Sequence, residues 1–207
     1  MEDVATRLEA CSRKGIVGVN LGKNKDTQDS IGDYRKGVLR FAKVADYLVI
    51  NVSSPNTVGL RSLQRRKALR VLLEAVMQAR SEVTLECPPP ILFKIAPDLS
   101  DEDKLDIAQV AIETGIDGII ATNTTIKRPH SLIDSNAHES GGLSGQPLLE
   151  PSTRVLSEVY KLTSGRIPLI GVGGVSSGAD AYAKIKAGAT LIQLYTAMVF
   201  HGPGHVQ

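Results

Sequence analysis

Short apolar runs recur along this chain, and each ends on residues that are polar or turn-forming. Tyr47-Leu48-Val49-Ile50 leads into Asn51-Val52-Ser53-Ser54-Pro55-Asn56-Thr57, and Ile91-Leu92-Phe93 into Lys94-Ile95-Ala96-Pro97. The pattern returns at Gly18-Val19-Asn20-Leu21-Gly22, Ile119-Ile120-Ala121-Thr122-Asn123-Thr124-Thr125, Ile170-Gly171-Val172-Gly173-Gly174 and Ile192-Gln193-Leu194-Tyr195-Thr196. Near-continuous apolar runs of this length read as strands buried on both faces. A buried strand that finishes in amides and hydroxyls aims donors and acceptors at something.

Helical periodicities separate the runs. Ser100 is placed to N-cap a helix whose first turn holds Asp101, Glu102 and Asp103, with Leu105, Ala108, Ala111 and Ile112 as its buried stripe and Gly115 as its stop. Ser176 or Ser177 opens another, carrying Ala181, Ala183, Ile185 and Ala187 up to Gly188. Strands alternating with helices predict a parallel α/β sheet. The irregular strand spacing suits a (β/α)8 TIM-barrel type with elaborated loops, and the longest loop, Ile126 to Pro147, is expected near the ligand. Only six strands are legible where a closed barrel has eight. The expectation is an incomplete barrel in one domain, residues 1–207, with the first two strands and the final helix absent.

Composition narrows the function classes. The 207 residues are 42% hydrophobic with a net charge of +2, enough for one core and no reason to expect a nucleic acid partner. The basic run Arg61 to Arg70 shares its segment with Leu69, Leu72, Leu73, Val76 and Met77 at helical spacing, and reads as a solvated helix face. Cys11 and Cys87 form no CxxC and no zinc pattern, so no metal site is expected. No apolar run is long enough for a membrane span, and the amino end shows no signal peptide. His130, His138, His201 and His205 fall in loops or the tail and are read as surface residues.

Two features carry chemistry by themselves. Gly171-Val172-Gly173-Gly174-Val175-Ser176-Ser177-Gly178 is a strand-to-helix turn whose backbone N–H groups can cradle a phosphate; a tight βα connection with no ligand accounts for it about equally well. Position favours the phosphate, because such barrels bind it after strands seven and eight. Lys94 is the one charged residue in its strand. It needs either an internal ion pair or an electron-rich ligand such as a flavin, whose reduced ring a nearby cation stabilises.

Six ordered motifs together resemble dihydroorotate dehydrogenase, class 2, the quinone-linked mitochondrial type of animals. They are Gly18-Val-Asn-Leu-Gly-Lys-Asn24, Asn51-Val-Ser-Ser-Pro-Asn-Thr57, Lys94-Ile-Ala-Pro-Asp98, Thr122-Asn-Thr-Thr125, Gly141-Gly-Leu-Ser-Gly145 and Gly171 to Gly178. Ser54 separates the classes, since class 1 enzymes carry Cys there. The resemblance implies FMN-dependent oxidation of dihydroorotate to orotate in pyrimidine synthesis, with ubiquinone as electron acceptor at the mitochondrial inner membrane. It assigns FMN contacts to Asn20, Asn51, Lys94, Thr122, Gly145, Gly173, Gly174, Tyr195 and Thr196. Asn51, Asn56, Asn123 and Thr124 would bind the substrate, Ser54 would be the base, and Thr57 would pass its proton to water.

The family's further FMN contacts, a substrate-binding Lys and the quinone entrance have no counterpart in this sequence, which suggests a partial chain that alone is neither a stable flavoprotein nor a catalyst. Two other readings compete: a short product serving as a non-catalytic interaction module, and another FMN-barrel pyrimidine oxidoreductase. Ser54 with Asn56 weighs against the latter.

Overall fold

A computed structural model describes residues 1–12, 15–24 and 26–206. Six parallel strands form one sheet in sequence order: β1 (Gly18–Leu21), β2 (Tyr47–Asn51), β3 (Ile91–Ile95), β4 (Gly118–Ala121), β5 (Leu169–Val172) and β6 (Leu191–Gln193). Helix α1 (Glu2–Ala10) precedes them, and α2 (Ser30–Phe41), α3 (Arg66–Ser81), α4 (Asp101–Thr114), α5 (Leu149–Thr163) and α6 (Gly178–Lys186) make the crossovers. A six-residue helix, α7 (Thr196–His201), follows β6 directly. Every strand pairs with its sequence neighbour, the order of a (β/α)8 barrel, with six of the eight strands.

The two faces of the sheet differ. On one face Leu48, Ile50, Ile91, Phe93, Ile95, Ile119 and Leu169 pack against the helix layer, in a core joined by Leu69, Leu72, Leu73 and Val76 of α3. The other face carries a smaller apolar cluster of Val49, Leu92, Ile120 and Ile170. Successive residues of a strand point to opposite faces, so Asn51, two beyond Val49, and Lys94, two beyond Leu92, project from the smaller cluster's face. The register pairs Asn51 with Lys94 directly. Asn20 lies on the same face one step lower, opposite Val49.

Local chemistry fixes where elements begin. Ser100 caps α4 in a full capping box with Asp103, and Ser177 caps α6 through its bond from the Asp180 N–H. The helix faces differ from expectation in two places. In α4 Leu105 is 44% exposed, while Ile107 and Val110 are fully buried, because the helix packs between α3 and α5 and its buried stripe is turned toward both. In α6 Ile185 is 52% exposed and Ala183 is exposed, whereas Lys184 is fully buried. An alanine-rich helix gives a weak phase signal. Gly171 then leaves room for the lysine stem: a Cβ there would lie 3.1 Å from both Cβ and Cδ of Lys184.

Two aspartates set strand starts by the same device. Asp117, just before β4, donates its N–H to the Ile91 carbonyl at 3.1 Å and accepts the Ile91 N–H at 2.7 Å. Asp46, before β2, closes the same ring on Val17, with distances of 2.8 and 2.6 Å. Asp117 also pairs with Arg80 of α3, locking helix to sheet. Since Ile91 is fully buried, Asp117→Ala leaves a buried N–H without its acceptor and should lower unfolding free energy by about 1–3 kcal/mol. Urea denaturation of the complete protein checks this; an unchanged midpoint would remove the clasp from the account.

Candidate functional site

The polar strand ends converge on one rim. A cleft of about 870 Å³ is lined by Lys94, Thr122, Asn123, Thr124, Gly145, Gly173, Gly174, Tyr195 and Thr196, a size suited to a cofactor. Asn51 joins this group through Asn123, whose Nδ2 donates to Asn51 Oδ1 at 3.2 Å and to Ser53 Oγ at 3.0 Å. Asn51 Oδ1 also accepts from Ser53 N at 3.3 Å and Ser53 Oγ at 3.1 Å. With its oxygen engaged, the Asn51 amide nitrogen remains available as a donor. The Asn123 carbonyl oxygen is occupied within its own turn, accepting the Thr124 N–H at 2.8 Å.

Lys94 makes no hydrogen bond or ion pair among the described residues, and desolvation by the surrounding apolar wall holds its pKa below the ordinary lysine value. Among the described residues no fully buried side-chain nitrogen or oxygen lacks a partner. The Lys94 ammonium therefore opens onto the cleft, and the internal ion pair allowed by the sequence does not form. A half-buried cation without a counter-charge favours a ligand carrying negative or electron-rich atoms.

The Gly-rich turn lies across the cleft from the amides. Gly174 has φ 75°, and a Cβ there would sit 2.4 Å from the Leu149 backbone N, so only glycine permits this approach to the start of α5. Gly145 lies against Thr196: a Cβ on it would stand 3.2 Å from Thr196 Cγ2, and Thr196 Oγ1 hydrogen-bonds Ser144 Oγ at 3.0 Å. The loop Ile126 to Pro147 reaches the site as expected. Arg128 ties it back by donating to the carbonyls of Ala137, Glu139 and Gly141, each at 2.9 Å.

Five expected residues lie off the cleft wall, Asn51 among them, tied to the wall through Asn123. Asn20 is exposed on edge strand β1. Ser54, Asn56 and Thr57 belong to the loop after β2; Ser54 Oγ accepts the Asn56 N–H at 3.3 Å, and Asn56 is exposed. This loop closes on the others at Gly142, where a Cβ would fall 3.1 Å from Pro55 Cγ and inside the contact distance of Thr124 Oγ1. No hydrogen bond joins the hydroxyls of Ser54 and Thr57.

Three residues that sequence reasoning left out hold the rim together. Arg61 donates to Ser53 O at 3.1 Å, Thr124 O at 2.9 Å and Asp98 Oδ2 at 2.9 Å, so one guanidinium ties the loops after β2, β3 and β4. Asp98 also accepts Thr125 Oγ1 at 2.5 Å and the Ile126 N–H at 3.0 Å. Tyr34 of α2, fully buried, donates to the Asn51 carbonyl at 2.7 Å, and burial raises its pKa. Arg61 belongs to the run read as a solvated helix face. The run's other arginines behave that way: Arg66 and Arg70 pair with Asp106 and Glu113 on the surface. Only the turn Leu60–Gln64 ahead of α3 redirects Arg61 inward, and charge patterning does not reveal that.

Comparison with known proteins agrees with this geometry. A family model described as dihydroorotate dehydrogenase matches residues 1–207. A dihydroorotate dehydrogenase (quinone) of Rhodospirillum rubrum is 54% identical over 100% of this chain and 56% of its own length. The mitochondrial form of Mus musculus is 57% identical over 90% of the chain and 47% of its own length. The chain thus spans about half the length of these curated relatives. Among solved structures, DHODH of Eimeria tenella in complex with ferulenol superposes with a TM-score of 0.93 at 45% identity, covering 98% of this chain and 60% of that one. With a family model matched from end to end and parallel strands in barrel order, the chain belongs to the dihydroorotate dehydrogenase family.

Proposed function

We propose that the complete protein oxidises dihydroorotate to orotate with FMN as cofactor and quinone as electron acceptor, and that this chain supplies the phosphate cup and much of the substrate pocket. The observation that carries the reading is the unpaired, desolvated Lys94 ammonium beside the Asn51–Asn123 amide pair. The residues fit FMN on two counts. A cation with no protein partner suits the electron-rich edge of an isoalloxazine, and the Gly173-Gly174 turn with Gly145 and Thr196 offers backbone donors and a hydroxyl to a phosphate.

When bound, FMN supplies the acceptor for the hydride equivalent that leaves one ring carbon of the substrate. The chain's own residues do the rest. Asn51, Asn56, Asn123 and Thr124 bind and orient a planar pyrimidine, for which the asparagines suit because one side chain offers both donor and acceptor. Asn20, Asn51, Lys94, Thr122, Tyr195 and Thr196 are assigned to the cofactor. Ser54 removes the proton from the carbon next to the carbonyl, closing the balance of two electrons and two protons. A serine hydroxyl is a weak base unless its own proton has an exit. Thr57 passes that proton onward, through water because the two hydroxyls are not bonded directly. Quinone as acceptor and a mitochondrial location follow the names of relatives such as the rice and mouse mitochondrial forms, and the inner membrane is proposed from the family resemblance alone. Among the described residues, no helix is long and apolar enough to cross a membrane.

Two experiments on the complete, flavin-loaded protein test this. Ser54→Ala should slow flavin reduction by dihydroorotate by about two to four orders of magnitude with substrate binding less affected, and Ser54→Cys should retain more activity. Reduction at the parent rate in rapid mixing would assign the base elsewhere. Arg61→Met, which releases three loops at once, should lower kcat/KM for dihydroorotate about 10–100-fold by misplacing the Ser54 and Asn123 segments. FMN affinity should hold. Parent kinetics in this variant would make Arg61 a mere surface tie.

A further inference from the structure

Lys184 is the most unusual charged residue outside the cleft. It is completely buried behind β5, yet no carboxylate pairs with it; its ammonium donates to Ser152 Oγ at 2.5 Å, Thr153 Oγ1 at 2.9 Å and the Leu149 carbonyl at 3.4 Å. All three acceptors lie within the first five residues of α5, the end of a helix whose dipole disfavours a cation. Neutral hydroxyls compensate a buried charge poorly. Burial pulls the lysine pKa down to about 8, with Asp180 opposing the shift through space.

The surroundings indicate where the missing counter-charge lies. Ser152 Oγ, the closest partner of Lys184, donates to the Leu148 carbonyl at 2.6 Å and also lies 3.1 Å from the Gly173 carbonyl, and a Cβ on Gly173 would stand 2.7 Å from Ser152 Oγ, so the turn is packed directly on this hydroxyl. Gly174, the next residue, presses on Leu149. The ammonium is therefore one hydroxyl away from the Gly173-Gly174 turn, on its protein side, and the cleft is on the other. Among the described residues no salt bridge reaches this lysine and Asp180 acts on it only through space, so an anion seated in the turn would add to a compensation that the fold leaves partial.

We propose that Lys184 is a positioning residue of the phosphate cup: it holds the Gly173-Gly174 turn against α5 through Ser152 and supplies a fixed positive charge behind the site that selects a phosphorylated flavin. The proposal rests on the cofactor reading above. In the absence of ligand the charge works against the fold, because a buried ammonium among neutral partners is a desolvation cost. With a phosphate dianion in the turn, the same charge favours binding through a low-dielectric path.

The test compares FMN with riboflavin, which lacks the phosphate, in the flavin-free complete protein and in Lys184→Met and Lys184→Gln. Glutamine keeps a donor for Ser152 and Thr153 without the charge, and so covers the case in which methionine fails to fold. Fluorescence titration should show FMN affinity falling by about tenfold in both variants, as loss of one nearby unit charge predicts, with riboflavin affinity unchanged. Thermal melting of the flavin-free variants should be no lower than the parent's. Equal losses for both flavins, or no loss for either, would overturn the role of Lys184. A parent protein that binds riboflavin as well as FMN would instead refute the phosphate cup, and the lysine's role with it.

Discussion

The parallel register across β2, β3 and β4 is the constraint on which the rest depends. Parallel pairing sets Asn51 beside Lys94 and Lys94 beside Ile120, so that Asn51, Lys94 and Thr122, two beyond Ile120, follow one another along one face. Below that rim Val49, Leu92, Ile120 and Ile170 keep the face apolar. The strand interiors pack while their ends present chemistry. A one-residue slip would turn Lys94 into the apolar helix layer and carry Phe93 and Ile95 to the cleft face in its place.

Polar groups on the rim are held by other polar groups rather than by packing. Asn51 receives Ser53 and Asn123, Tyr34 fixes the Asn51 carbonyl from below, and Arg61 with Asp98 binds the three loops that carry these residues. The Asn123 and Arg61 ties cross between strand ends, so the rim is preorganised where the sheet itself stops providing hydrogen bonds. The glycine-rich end of the cleft is built otherwise, from glycines that let one backbone approach another. Behind it Lys184 places a buried charge among neutral hydrogen-bond partners, a desolvation cost to the fold.

Much of this was legible in the sequence, for identifiable reasons. Strands show because buried parallel strands are unbroken apolar runs, and the α4 boundaries show because Ser100 and Gly115 are strong signals. Lys94 stands out as the only charge in such a run. The helix phases were harder: Leu105 and Ile107 are equally apolar, and only packing between α3 and α5 decides which is buried. Arg61 and Lys184 were not legible at all. A basic residue on a helical segment is usually solvated, and nothing local reports a glycine on the neighbouring strand that opens a slot for a lysine stem.

The central claim is that one rim holds flavin and pyrimidine together. The most direct measurement is a crystal structure of the complete protein with FMN and orotate. The account predicts density for the flavin ring against Lys94, its phosphate in the Gly173-Gly174 turn, and orotate bonded by Asn51 and Asn123. Flavin density away from Lys94, or a phosphate seated outside that turn, would contradict it.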